Sequence, residues 1–400
     1  MEQGLRHYLT VTGGYWAFTV TDGAIRMLVV LYFHQLGYSP LAIAMLFLFY
    51  EFFGIVTNLV GGWLGARIGL NRCMHIGMLM QIAALLMLTV PAAWLTVAFV
   101  MTAQALSGIA KDLNKMSAKA GVKLFVPESG DAKLFRWVAL LTGSKNALKG
   151  AGFFVGAALL AWLGFRGALL VLAGMLGMAL LLTWMLLPEN LGKVKSGAKF
   201  SQIFSKTPAV NRLSAARFFL FGARDVWFVV GLPVFLYDIL GWSFMQVGGF
   251  LALWVIAYGI VQASVPALLK RAASPDGRAV ALWAFILSVL PTAMALMLGQ
   301  GWNAEAVVIA GLACFGIVFA INSAVHSFLI VSWSDRQQVS MNVGFYYMAN
   351  AGGRLAGTVL SGLIYQMQGL SGCLWWSAAF VLAAALISLS LPRVTDQQGL

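Results

Sequence analysis

Residues Ser107 to Gly150 read SGIAKDLNKMSAKAGVKLFVPESGDAKLFRWVALLTGSKNALKG, seven lysines and one arginine within a chain that is 61% hydrophobic. Lys111, Lys115 and Lys119 recur at i, i+4, i+8, and Lys145 and Lys149 repeat the i, i+4 step. On a helix residues so spaced share a face, so each half of the stretch presents a cationic stripe. Both stripes run into long apolar sequence that reads as membrane-spanning. Ammonium groups at bilayer depth are costly unless they meet a partner or a watery cavity. The stretch predicts a helical membrane protein whose interior expects an anion.

Composition agrees. The 400 residues have a mean hydropathy of +0.86 and only 10% charged side chains, outside the range of soluble globular domains. The apolar runs can cross a hydrocarbon core of about 30 Å, which takes roughly 20 helical residues. They lack the ten-residue alternation of an outer-membrane barrel. The first apolar segment is too long for a signal-peptide core and has no small-residue cleavage site, so it is expected to stay as a helix. A net charge of +13 would suggest nucleic acid in a soluble chain. Here it fits basic cytoplasmic loops, and no nucleic-acid partner is expected. Cys73, Cys314 and Cys373 lie far apart with no CxxC pairing, which predicts neither a disulfide framework nor a soft-metal site. No metal and no cofactor are expected.

Twelve spans can be drawn, near 8–33, 40–64, 73–91, 94–119, 134–161, 167–187, 211–237, 244–269, 279–299, 304–331, 341–366 and 372–391. Turn chemistry marks the breaks at Gly37-Tyr38-Ser39-Pro40, Gly69-Leu70-Asn71, Pro91, Gly164, Gly241-Trp242-Ser243 and Ser274-Pro275-Asp276-Gly277. Loops on the N-terminal side carry Arg6, Arg67, Arg72, Lys123, Lys133, Lys193, Lys195, Lys199, Lys206, Lys270, Arg271, Arg278, Arg336 and Arg393, against Arg166 alone opposite. That asymmetry puts both termini in the cytoplasm. The polar connection 188–210 divides the chain into six-helix bundles at 1–187 and 211–400. An internal repeat supports the division: Leu36-Gly37, Ser39, Arg67 and Asn146-Ala147 recur as Leu240-Gly241, Ser243, Arg271 and Asn350-Ala351, all at an offset of 204 residues. Two parallel six-helix halves are what the 12-helix major facilitator fold has, so the fold class expected is an all-α membrane protein of that architecture. Gly62-Trp-Leu-Gly-Ala-Arg67-Ile-Gly69-Leu-Asn-Arg72, between spans 2 and 3, resembles that superfamily's gating-loop signature, with Ala66 where an acid is usual. Gly62, Arg67, Gly69, Arg72 and the repeat's Arg271 are the expected gating-loop residues.

In that fold spans 3, 6, 9 and 12 lie outermost and the rest line a central cavity. The buried charges sort the same way. Asp22 and Arg26 fall in span 1, Glu51 in span 2, Lys111, Asp112 and Lys115 in span 4, and Lys145 and Lys149 in span 5; Arg217, Arg224 and Asp225 follow in span 7 and Arg354 in span 11. Spans 3, 6, 9 and 12 carry none in their interiors. Eight basic residues against four acids leave an excess that favours an anionic guest. The competing reading is internal ion pairing: Asp22 with Arg26 along one helix, while Asp112 and Asp225 reach other helices. Lys115 and Arg217 fall near enough to the cytoplasmic surface to be solvated. Guanidinium groups bind phosphate or carboxylate bidentately. The expected substrate-binding set is therefore Arg26, Lys145, Lys149, Arg224 and Arg354, extended by Lys111 and by His326, which sits among Asn322, Ser323 and Ser327. Asp22, Glu51, Asp112 and Asp225 are expected as coupling or ion-pair residues. No P-loop, HExxH or GxSxG occurs, so no enzymatic constellation is read.

The runs TGGYWAFTVTDGAIRMLVVLYFHQLGYSP, LFYEFFGIVTNLVGGWLGARIGLNR, ALSGIAKDLNKMSAK and LTGSKNALKGAGFF resemble the ArsJ-type organoarsenical efflux permeases of the major facilitator superfamily, over essentially the whole chain. The resemblance implies a multi-pass bacterial inner-membrane exporter of 1-arseno-3-phosphoglycerate that confers arsenate resistance. It also implies a glyceraldehyde-3-phosphate dehydrogenase as functional partner, making the compound from arsenate and glyceraldehyde 3-phosphate. A monomer is expected. Two alternatives stay open: an organophosphate/phosphate antiporter of the same fold, and a membrane enzyme acting on a phosphorylated substrate.

Overall fold

The computed structural model describes residues 2–37, 46–125, 131–188, 191, 193, 207–242, 244–269 and 275–393. Tyr38, Ser39, Pro40, Ser243, Ser274, Lys195, Lys199, Lys206, Lys270 and Arg271 lie outside the described residues, as does most of the expected linker 188–210. Regular structure among the described residues is helical. Span 1 is Glu2–Gln35, span 2 Leu48–Ile68, span 3 Leu70–Met87 and span 4 Val97–Phe125; spans 5 and 6 share Asp131–Leu186. Span 7 is Pro208–Phe228, extended by Gly231–Val234 and a π-helical turn Phe235–Ile239; Phe244–Leu268, Gly277–Gly299 and Ala304–Ser332 are spans 8 to 10, and Val339–Ser388 holds spans 11 and 12.

The two long elements are each two spans. Gly164 (φ 67°, ψ 179°) breaks the first and Gly369 (φ 63°, ψ −163°) the second, conformations that a residue without Cβ enters at no steric cost. Eight described helices are long and apolar enough to cross a membrane. With two of these doubled, and with spans 2 and 4 added, the architecture is the expected twelve. Span 4 is less apolar than these, since it carries the lysine stripe.

Local geometry repeats with the sequence. Gly37 (φ 85°) and Gly241 (φ 70°) are both left-handed and 204 residues apart; Gly164 and Gly369 are 205 apart. Asn71 donates to the carbonyl of Pro188 at 2.6 Å, and the Gly277 N–H donates to that of Pro392 at 3.1 Å, the two prolines again 204 apart.

The chain forms two compact units. One comprises Met1–Gly130, Ser144–Phe204 and Ser334–Met348; the other comprises Asp131–Gly143, Ser205–Trp333 and Ala349–Leu400. The first has a core of Ile25, Leu28, Phe33, Leu85, Val100 and Leu172. The second is more aromatic, built on Trp227, Phe315 and Phe319 with Leu220, Leu287 and Val381. Within each unit glycines let the first and fifth spans of a half approach closely, as small residues do in membranes. A Cβ on Gly152 would meet the Val20 carbonyl oxygen at 2.6 Å and Gly23 Cα at 3.1 Å. In the second unit a Cβ on Gly357 would meet the Gly222 carbonyl oxygen at 2.6 Å.

Candidate functional site

In the first unit the charges gather around one residue that sequence reading passed over, Tyr50. Its side chain is fully buried. Its hydroxyl donates to Asp22 Oδ1, and Lys149 Nζ lies 3.8 Å from the other oxygen of Asp22. Arg26, one turn beyond Asp22, donates to Glu51 Oε1 at 2.8 Å and places its Cζ 4.0 Å from the Tyr50 ring centre. Lys111 Nζ stands 3.8 Å from the same ring centre and 3.6 Å from Asp112 Oδ2. Lys115 takes the other oxygen of Asp112 and sits 4.3 Å from the Tyr347 ring centre. Lys119 follows at 6.0 Å from that ring. The stripe Lys111–Lys115–Lys119 thus lies along two tyrosine faces, whose quadrupoles attract cations without neutralising them. Glycines make the crowding feasible: a Cβ on Gly54 would meet Asp112 Oδ2 at 2.7 Å, and one on Gly108 would meet Tyr50 Cα at 2.9 Å.

In the second unit Asp225 is the shared anion. Its carboxylate is fully buried; Arg224 Nε donates to Oδ1 at 2.6 Å and Arg354 Nε to Oδ2 at 3.1 Å. Arg224 Cζ lies 5.0 Å from the Phe221 ring centre. A second polar cluster on spans 7, 8 and 10 shares the Phe221 ring with Arg224. Arg217, 3.8 Å over Phe221, donates to Ser323 Oγ at 3.1 Å, and Gln262 donates to the same oxygen at 3.1 Å. Nearby on span 10, His326 and Asn322 are buried, with no hydrogen-bond partner among the described residues for either ring nitrogen or either amide atom.

The two main clusters correspond. Asp22–Lys149 joins spans 1 and 5, and Asp225–Arg354 joins spans 7 and 11. The acids are 203 residues apart and the cations 205. In both pairs the acid is buried while the cation keeps an open edge: side-chain exposure is 5% for Asp22 and 0% for Asp225, against 21% for Lys149 and 30% for Arg354.

Several expectations change. Asp22 and Arg26 do not form an ion pair along span 1; each faces a partner on span 2, and Asp22 also meets Lys149. Asp112 does not reach another helix for its cations but takes Lys111 and Lys115 from its own, because Gly54 opposite leaves it space. Asp225 does both, holding its chain neighbour and span 11. Arg217 is buried rather than solvated, at 3% exposure, whereas Lys115 keeps 13% of its side chain exposed. Asp112 and Asp225 each serve two cations, which brings six of the eight basic residues to an acid and leaves the excess of positive charge in place. Lys145 is half-buried one turn before Lys149. In the segment expected as a gating loop the Gly62 carbonyl accepts from Ser340 Oγ at 2.6 Å and Gly69 takes φ 103°; Arg67 lies 5.2 Å from the Trp63 ring centre and Arg72 is exposed. Ala66, where an acid is usual, is buried against Met341 and Trp63.

A family model described as the Major Facilitator Superfamily matches residues 11–330. Solved structures share the fold. A bacterial homologue of the iron transporter ferroportin, in an outward-facing state, superposes with a TM-score of 0.76 at 14% identity over 96% of this chain and 98% of that one. The human organic anion transporter MFSD10 (TETRAN) gives 0.74 at 16% identity over 96% and 99%. The E. coli fucose:proton symporter FucP gives 0.73 at 13% over 97% and 98%. A comparison with curated proteins found no match.

Proposed function

The chain belongs to the Major Facilitator Superfamily, a membrane transporter rather than an enzyme, and we propose that it exports an organoarsenical phosphate ester, 1-arseno-3-phosphoglycerate, from the cytoplasm. The observation that carries the reading is the Arg224–Asp225–Arg354 cluster together with Asp22–Lys149: buried acids fix cations whose outer edges stay open. Guanidinium and ammonium edges of this kind suit tetrahedral oxyanions, and this substrate carries two, a phosphate and an arsenate. Trivalent arsenic would call for clustered thiols, whereas Cys73 and Cys373 are buried and Cys314 is exposed on another helix. The resemblance of the four sequence runs to ArsJ-type permeases supplies the arsenical specificity. A dehydrogenase acting on arsenate and glyceraldehyde 3-phosphate would be the functional partner, and the bacterial inner membrane the location.

The energetics need no coupled ion. An inside-negative potential of about 100 mV favours export by about 2.3 kcal/mol per negative charge. For a roughly trivalent anion that amounts to about 7 kcal/mol. Hydrolysis outside removes the product and keeps export downhill. In this proposal the halves 1–187 and 211–400, joined by 188–210, are the bodies that alternate access.

The test is uptake of arsenic label into everted vesicles, with substrate generated by dehydrogenase from arsenate, glyceraldehyde 3-phosphate and oxidised nicotinamide cofactor. Accumulation only with the complete mixture is expected. Arg224→Gln and Arg354→Gln, at wild-type membrane expression, should each cut the rate roughly tenfold or more. The second reading, an organophosphate/phosphate antiporter, rests on the same cations, which do not distinguish arsenate from phosphate. Equal uptake of plain 3-phosphoglycerate without arsenate would favour it.

A further inference from the structure

The internal repeat provides a comparison within one molecule. At the offset of 204 residues, Tyr50 corresponds to Trp254, Gly108 to Leu312, Lys111 to Phe315, Asp112 to Gly316, Lys115 to Phe319 and Lys119 to Ser323. The contacts follow that correspondence. Tyr50 packs on Gly108 and Lys111; Trp254 donates to the Leu312 carbonyl at 2.9 Å, and a Cβ on Gly316 would meet its Nε1 at 2.8 Å. The matching positions on span 10 are aromatic: Phe319 meets Tyr258 of span 8 at 5.8 Å, and Phe315 meets Trp227 of span 7 at 5.2 Å. The first half places lysines at these positions. Packing therefore does not require charge at these positions, because the second half packs without it. Lysines retained in an apolar helix crossing are costly, and a cost of that kind points to a ligand.

We propose that Arg26, Lys111 and Lys149 form an oxyanion subsite lying wholly within the first unit, with Tyr50 as the positioning residue that assembles it. This rests on the anion-transport reading above. Tyr50 touches two arms and reaches the third through Asp22: its ring meets Arg26 at 4.0 Å and Lys111 at 3.8 Å, and its hydroxyl holds the Asp22 that faces Lys149. The floor is buried, while the cation side chains above it keep 22% (Arg26), 13% (Lys111) and 21% (Lys149) exposure. A carboxylate in place of the ring would cancel a positive charge, whereas a π-face orients two cations and leaves their charge for the guest. Among the ion pairs described in this unit, four cations (Arg26, Lys111, Lys115, Lys149) face three acids (Asp22, Glu51, Asp112), and Lys119 extends the stripe, so the balance is positive before any ligand binds. The ligand class is a phosphate or arsenate monoester end group.

The experiment titrates the purified full-length chain in detergent with 2,3-bisphosphoglycerate, a stable molecule bearing two oxyanions, and follows tryptophan fluorescence and melting temperature. Wild type should saturate. Tyr50→Phe keeps both ring contacts and loses only the hydroxyl's hold on Asp22, so it should weaken binding by about threefold, while Tyr50→Leu loses all three and should weaken binding roughly tenfold. Lys111→Phe installs the residue found at the matching position of the second half and leaves Asp112 paired with Lys115, so it should melt no more than a few degrees below wild type yet bind roughly tenfold more weakly. Tyr50→Trp, copying Trp254, should retain binding. A purely structural tyrosine would lower the melting temperature of Tyr50→Leu without moving the binding midpoint. Unchanged midpoints in both Tyr50→Leu and Lys111→Phe overturn the subsite. A wild type that does not respond to the probe overturns the anion-transport reading itself.

Discussion

Asp225 is a fully buried carboxylate that answers for two guanidinium groups, and its replacement is the most exposed test of the second cluster. Removing one partner of a buried pair costs far more than the pair contributes, because the other charge stays behind uncompensated. Asp225→Asn strands both Arg224 and Arg354, whereas Arg354→Gln leaves Asp225 still bound to Arg224. The first should therefore lower stability by on the order of 3 kcal/mol, less the relief that the open edges of the arginines gain from water, and the second by clearly less. Melting temperatures in detergent check the ranking, and equal values for the two variants would contradict it. At this scale the sequence was partly legible. The sign, number and spans of the charges could be read from it, because charge inside apolar runs stands out. The partners could not, because pairing depends on where helices cross. Tyr50 was missed for a related reason: in an apolar run an aromatic residue that holds cations looks like one that fills a core. The only available signal was its place opposite Lys111, visible once the repeat is extended to the span 2–span 4 crossing.

The spans themselves were legible for the opposite reason, since turn residues act locally. Gly37, Gly164 and Gly241 were readable as breaks, and each adopts a left-handed φ. The helix crossings depend on glycines whose meaning is not local. Gly152 sits against backbone, with the Val20 carbonyl oxygen 2.6 Å from where its Cβ would be, so a methyl group there must push spans 1 and 5 apart. Gly174, on span 6, has nothing within 4 Å of its Cβ position. Gly152→Ala should lower the melting temperature by several degrees and, through the displaced Asp22–Lys149 pair, reduce transport. Gly174→Ala should be neutral or slightly stabilising, by up to about 1 kcal/mol, since alanine loses less backbone freedom. Thermal melts of both, alongside vesicle uptake, decide the matter; a harmless Gly152→Ala would mean that the crossing yields easily. The sequence points to Gly152, one of the glycines Gly143, Gly150, Gly152 and Gly156 that allow close packing of span 5, but not to the backbone it meets.

Across the whole molecule, one scaffold is used twice and loaded with different chemistry. Paired glycines, prolines and acid–cation bridges recur at offsets of 203 to 205 residues, yet the span 4 lysines have aromatic counterparts on span 10. Such duplication predicts that exchange between the halves is not reciprocal. Lys111→Phe removes charge from a crossing whose counterpart already accommodates a phenyl ring, and the chain should fold. Phe315→Lys does the reverse. Phe315 is fully buried, edge-on to Trp227 at 5.2 Å, and the position matching Asp112 is Gly316, so the new ammonium would have no carboxylate beside it. An uncompensated charge in such surroundings costs several kcal/mol, a large part of a typical stability of about 5–15 kcal/mol. Size-exclusion profiles and melting temperatures of the two single variants provide the measurement. Phe315→Lys should be aggregated or melt far below wild type, and Lys111→Phe should be monodisperse and near wild type. Should both behave alike, the charge on span 4 would be as dispensable to packing on one side as it is tolerable on the other. The repeat would then say nothing about where the anion binds.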